Sequence, residues 1–203
     1  MSIRTLAVVS AGLGTPSSTR LLADRLAAAA SEAVGERGDE VHVEVVELRE
    51  HAHDLASTLL TGFPPPALAE AISTVTHADA VIAVTPVFTA SYSGLFKTFL
   101  DVLDPKALVG VPVLIGATAG TPRHSLVLEH AVRPVFAYLR AVVVPTAVFA
   151  AAQDWGAGDG DLTERIGRAA GELADLVTGA GPRRPDLADP FANTPSFEEL
   201  LRR

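Results

Sequence analysis

The sequence predicts an α/β domain, a parallel β-sheet covered by helices on both faces. Five short apolar runs recur along the chain, and most end in Gly, Pro or hydroxyl residues. Longer segments lie between them, with apolar residues recurring at helical spacing. Strand and helix patterns alternating in this way specify a parallel sheet built from crossover units.

The elements follow in order. Ile3 to Val9 is a continuous apolar run that reads as a strand buried on both faces. Ser17 to Glu36 is a helix with Leu21, Leu22, Leu26 and Ala30 to one side. Val41 to Leu48 alternates and forms the second strand, and His51 to Gly62 fits no single pattern. Phe63 to Pro66 is a loop, and a short helix runs from Pro66 or Ala67 to Val75. Asp79 to Thr85 is the third strand, stopping at Pro86. Ser93 to Leu103 is a helix burying Leu95, Phe96, Phe99, Leu100 and Leu103. Val111 to Thr118 is the fourth strand, Ser125 to Leu139 a long helix and Val142 to Ala150 the fifth strand. The last main helix spans Asp161 to Val177, with Asp161 as its expected N-cap. Pro and charge increase thereafter. Residues 1–180 are read as the domain and 181–203 as a tail, with a short helix expected over Phe197 to Arg202.

A chain of 203 residues is long enough for one domain with a substantial core. Its formal charge of −8 is dispersed and gives no electrostatic footprint for nucleic acid. The sequence has no cysteine, which excludes disulfides and thiolate chemistry. There is no signal pattern, and no apolar run nears the roughly 18 residues needed to span a bilayer. A soluble, cytoplasmic protein that does not bind membranes is expected.

In open parallel sheets, ligands bind outside the carboxyl ends of the strands, where the strand order switches. That directs attention to the loops after strands one, three and four. The first reads Ser10-Ala11-Gly12-Leu13-Gly14-Thr15-Pro16-Ser17-Ser18-Thr19. Gly12 and Gly14 suggest a dinucleotide loop, but Ser17 stands where the third glycine belongs. No Lys is present for a Walker loop. The hydroxyls of Ser10, Thr15, Ser17, Ser18 and Thr19 at a helix N-terminus suit a phosphate monoester. Ser17 or Ser18 acting only as a helix cap explains the same residues. The third loop joins small residues to Phe88 and Tyr92, which suits a planar ligand or an aromatic cap packed on its own helix.

The segment Thr85-Pro86-Val87-Phe88-x-x-x-Tyr92-Ser93-Gly94-x-x-Lys97-x-x-x-Asp101 resembles the flavin loop of NAD(P)H-dependent FMN reductases. It is most similar to the reductase components of two-component alkanesulfonate and methanesulfonate monooxygenases, and to actinobacterial reductases serving luciferase-like partners. The similarity runs from Ser10 to about Val148. It implies a flavodoxin-like three-layer sandwich with a five-stranded sheet of order 2-1-3-4-5. It implies FMN and NAD(P)H as cofactors, a flavin-dependent monooxygenase as partner, and a homodimer or homotetramer. Ser10, Thr15, Ser17, Ser18 and Thr19 match the phosphate segment. Pro86, Val87, Phe88, Ser91, Tyr92, Ser93 and Gly94 match the isoalloxazine segment, and Thr118, Ala119, Gly120 and Thr121 the pyrimidine side.

The family usually carries an Arg early in the first loop. Gly12 and Leu13 stand there in this chain, so a charged contact is absent unless Arg20 replaces it. The alkanesulfonate reductases carry an inserted residue that makes a π-bulge in the long helix, and His130 occupies or adjoins that place. Read from its own sequence context, His130 is a solvated or interface histidine. His124 reads as a helix cap, and Arg123 as a solvated residue or a contact for a nicotinamide nucleotide phosphate. No catalytic side chain is named, because hydride transfer between cofactors needs none. No metal is expected: His51 and His53 flank Glu50 and Asp54 without regular ligand spacing. Lys97 and Asp101 are placed to pair along a helix. Trp155 fits beside the site or at a subunit contact. Two rival readings are a reductase that holds FMN tightly and reduces quinones or azo dyes, and a flavodoxin-like electron carrier.

Overall fold

The computed structural model describes residues 2–156 and 160–179. The strands are β1 (Ile3–Ser10), β2 (Glu40–Glu47), β3 (Ala80–Phe88), β4 (Ser91–Tyr92), β5 (Pro112–Ala119), β6 (Val142–Val143) and β7 (Val148–Ala151). The helices are α1 (Ser18–Gly35), α2 (Ala52–Thr61), α3 (Pro66–Thr76), α4 (Gly94–Asp101), α5 (Arg133–Tyr138) and α6 (Gly160–Thr178). The main path through the sheet is β2-β1-β3-β5-β6, with parallel pairing throughout. β7 also pairs in parallel with β5, and β4 turns back against the end of β3. Counting β6 and β7 as one interrupted strand gives the expected flavodoxin-like order.

The strand residues divide between two cores. Leu6, Val8, Ile82, Val84 and Leu114 face Leu22 and Leu26 of α1 and Leu162, Ile166 and Leu173 of α6. Ala7, Val9, Val81, Ala83 and Ile115 face Leu68 and Val75 of α3, Phe96 and Phe99 of α4 and Phe136 of α5. The period-two alternation of a strand thus fills both layers. Phe96, Phe99 and Phe136 are among the largest fully buried side chains, each contributing about 1.5–3 kcal/mol of apolar burial. Trp155 packs against the α1 and α6 core. At Gly116 a Cβ would lie 3.2 Å from Leu26 and 3.3 Å from Val84, so glycine there lets α1 pack close to β5.

Several boundaries differ from expectation for identifiable reasons. The fifth strand splits into β6 and β7. Pro145 has no N–H for the ladder. The freed groups find side chains: Glu172 of α6 accepts from Thr146 N and Oγ1 at 2.7 Å each, and Arg133 donates to the carbonyls of Val144 and Pro145 at 3.0 Å each. β3 runs past Pro86, because Val87 and Phe88 pair with Tyr92 and Ser91. The ambiguous segment forms a 3₁₀ turn, Leu48–His51, then α2, which ends at Gly62 with φ 76°.

The long helix is preceded by a 3₁₀ turn at Pro122–His124 and carries a π turn at Leu128–Val132 that runs directly into α5. The Arg133 N–H reaches Leu128 O, five residues back. Pro134 has no N–H for a regular bond to His130, so the wide turn coincides with the proline. His130 lies inside the π turn. Asp161 sits in the first turn of α6 rather than capping it, because the helix already includes Gly160. The expected tail, 181–203, with its short helix over Phe197 to Arg202, lies outside the described residues.

Candidate functional site

The parallel register brings three loops to one sheet edge. Ser10 at the end of β1 pairs with Glu47 of β2 and Val84 of β3, and Pro86 of β3 pairs with Thr118 of β5. The hydroxyl loop, the β3–β4 hairpin and the loop after β5 therefore share the carboxyl end.

The first loop is folded tightly onto the start of α1. A Cβ at Gly12 would come 2.1 Å from Ser17 Oγ, so no other residue fits without moving the cap. Ser17 caps α1 by accepting from Arg20 N at 3.2 Å, so the capping reading holds for this residue. The first turn of α1 carries no acidic residue to oppose an anion. Thr19 is buried, and its hydroxyl lies 2.8 Å from that of Thr118. Ser10 is fully buried, and its hydroxyl is the one buried side-chain oxygen or nitrogen without a hydrogen-bond partner among the described residues. Ser18 and Thr15 are exposed.

The β3–β4 hairpin turns through Thr89 (φ 48°) and Ala90 (φ 67°). Two adjacent positive φ values match a type I′ turn, where Asn-Gly is usual. Strain of this kind gathers at functional loops. The two aromatics of the loop divide. Tyr92 packs on Phe96, ring centroids 6.1 Å apart, and Phe96 on Phe136 at 6.3 Å. Phe88 stays 47 % exposed. Ser93 is buried and caps α4, accepting from Phe96 N at 3.1 Å while its own N–H donates to Thr85 Oγ1 at 3.1 Å. Its hydroxyl is thus engaged in holding the loop. Gly94 opens α4, and Val87, Ser91 and Tyr92 are half-buried. Pro86 and Thr118 are buried, Ala119 half-buried, and Gly120 and Thr121 exposed.

Arg20, the expected substitute cation, is already paired with two carboxylates. It donates to Asp24 at 2.7 Å and Glu47 at 2.5 Å, and these bonds, Asp24 first, hold its guanidinium above its ordinary pKa. Sequence reasoning missed Arg49, in the 3₁₀ turn after β2, which donates from Nη1 to Thr15 Oγ1. Thirty-four residues separate the pair, and only the β1–β2 register shows the approach. Arg123, His124 and His130 line a pocket of about 240 Å³ beside Ala90. Lys97 and Asp101 pair as expected. Among the described residues no group of three or more His, Asp or Glu is placed to hold a metal ion, and no helix is long and apolar enough to cross a membrane.

Residues 4–156 match the family described as NADPH-dependent FMN reductase. The chain belongs to that family. Among relatives of this FMN reductase family, the FMN reductase (NADPH) of Pseudomonas aeruginosa is 36% identical over 149 residues, covering 72% of this chain and 76% of the relative. The NADH-dependent FMN reductase SfnE of Pseudomonas putida is 36% identical over 177 residues, covering 85% and 91%. An oxidoreductase structure from Corynebacterium diphtheriae superposes with a TM-score of 0.85 at 51% identity, covering 87% and 98%. The span matched to the FMN reductase family contains all three loops of the site.

Proposed function

We propose that the protein is an NAD(P)H-dependent FMN reductase whose flavin lies along the carboxyl edge of the sheet. The observation that carries the reading is the convergence of three loops of different character there: hydroxyls at a helix N-terminus, a small-residue hairpin with exposed Phe88, and the loop from Thr118 to Thr121. One feature of the chain fits FMN: the buried Ser10 hydroxyl lacks a partner at the phosphate end.

When bound, FMN supplies the acceptor for a hydride from the nicotinamide, with a proton from solvent completing reduced flavin. The protein's part is binding and orientation. Ser18 and Thr15 offer exposed hydroxyls and the start of α1 its N–H groups to the phosphate, while Ser17, as cap, and Thr19, through Thr118, hold the loop beside Ser10. Pro86, Val87, Phe88 and Ser91 to Gly94 form the wall for the ring, held by the Ser93 cap and the stacked Tyr92 and Phe96. Thr118, Ala119, Gly120 and Thr121 border its pyrimidine edge. The pocket lined by Arg123, His124 and His130 suits the phosphates of the nicotinamide nucleotide, since every ionisable group lining it is basic.

Reduced flavin leaves for a flavin-dependent monooxygenase, as the resemblance of the Thr85 to Asp101 segment suggests. The protein assembles as a homodimer or homotetramer in the cytoplasm. Exposed Leu126 and Tyr138, and the groove of about 440 Å³ lined by Leu100, Leu103, Pro134 and Val135, support an interface along α4 and α5. Purified protein oxidising NADPH or NADH only when FMN is added is the expected result. No oxidation with FMN present contradicts the reading.

A further inference from the structure

The first loop is poor in charge for a phosphate site. Between Ser10 and Thr19 it holds no Lys or Arg. Arg20 follows, but it faces Asp24 and Glu47, at 2.7 and 2.5 Å, and is neutralised by two carboxylates. Hydroxyls and a helix N-terminus bind a dianion, yet a cation adds a charge-assisted bond about twice as strong as a neutral one.

Arg49 stands where that cation is needed. β2 runs parallel to β1 with Glu47 beside Ser10, so the turn Leu48–His51 emerges next to the first loop. Arg49 is exposed, and among the described residues no carboxylate pairs with it. Its guanidinium donates to Thr15 Oγ1, inside the hydroxyl loop. A guanidinium carries five donors, so one bond to Thr15 leaves others for a second acceptor. The neighbouring Glu50 and His51 line a separate pocket with Glu44 and Glu70. Glu47 is occupied by Arg20.

We propose that Arg49 is the cationic contact to the FMN phosphate, reaching from the β2–α2 connection and oriented by Thr15. This rests on the FMN reading above. Arg49 therefore acts on the phosphate alone and discriminates FMN from riboflavin, which shares the ring and lacks the phosphate.

The test is equilibrium titration of FMN and riboflavin by flavin fluorescence, with the wild type, Arg49→Gln and Arg49→Lys. The wild type binds FMN more tightly than riboflavin. Arg49→Gln weakens FMN binding about tenfold or more, the range for a hydrogen bond to a charged group, and leaves riboflavin binding unchanged. Arg49→Lys falls between, because it keeps the charge and loses the planar fork. Unchanged FMN affinity in Arg49→Gln overturns the proposal, as does equal loss of FMN and riboflavin. A wild type that binds neither flavin overturns the FMN reading itself and the Arg49 assignment with it.

Discussion

The hydroxyls of Thr19 and Thr118 lie 2.8 Å apart in a buried position, joining the first turn of α1 to the end of β5 across 99 residues of sequence. The contact fixes the hydroxyl loop relative to the loop after β5. Thr118→Val keeps the shape but strands the Thr19 hydroxyl, so unfolding free energy falls by about 1–3 kcal/mol. The double variant Thr19→Val with Thr118→Val removes both partners and recovers most of that loss. Urea denaturation midpoints of the two variants provide the check.

Gly12→Ala places a methyl 2.1 Å from Ser17 Oγ. Ser17 must move, and its cap on Arg20 N is lost with it. The expected cost is about 1 kcal/mol of stability. FMN binding weakens about tenfold, because the loop no longer holds its shape. Isothermal titration with FMN, alongside thermal unfolding, separates the two effects.

Ala90→Gly removes a left-handed non-glycine residue from the hairpin tip. The strain relieved is about 1–2 kcal/mol, offset in part by the greater freedom of glycine in the unfolded chain. A net gain of about 1 kcal/mol is expected in chemical denaturation. No gain would show that Ala90 is unstrained at φ 67°.

Glu129 accepts from Arg133 at 2.6 and 2.9 Å, and this bond holds its carboxyl below the ordinary value of 4.5. A depressed carboxylate pKa adds stability above the unfolded value and loses it as pH falls through the folded one. The same guanidinium anchors Val144 and Pro145, so the pair ties the π turn to the interrupted fifth strand. Glu129→Gln is therefore less stable than wild type at neutral pH, by a modest amount given the exposure of Glu129. The difference closes as the solution is acidified below the ordinary glutamate value. Thermal unfolding from neutral to acidic pH measures it, and a constant gap across that range would contradict the assignment.

The order of strands was legible because each strand is apolar on a short period and most end in a breaker. The hydroxyl loop and the segment after Pro86 were legible as loops for the same reason: both lie between a strand and a helix. Three things were not. The break of the fifth strand depends on Glu172 and Arg133 satisfying the groups freed around Pro145, which no local pattern encodes. The π turn at His130 contradicts the unbroken helix that periodicity predicts over Ser125 to Leu139, and the family resemblance marks only its place. Arg49 lies on another strand's exit, and only the β1–β2 register brings it to Thr15. Ser93 reads as a ligand residue in sequence, but its hydroxyl serves the helix cap.

The central claim is that this edge of the sheet brings FMN and a reduced nicotinamide together. The direct measurement is the visible flavin absorbance after FMN, NADPH or NADH, and the protein are mixed without oxygen. The account predicts rapid bleaching of the flavin band that requires the protein and is saturable in FMN. A flavin band that persists, or bleaches no faster than without protein, would contradict it.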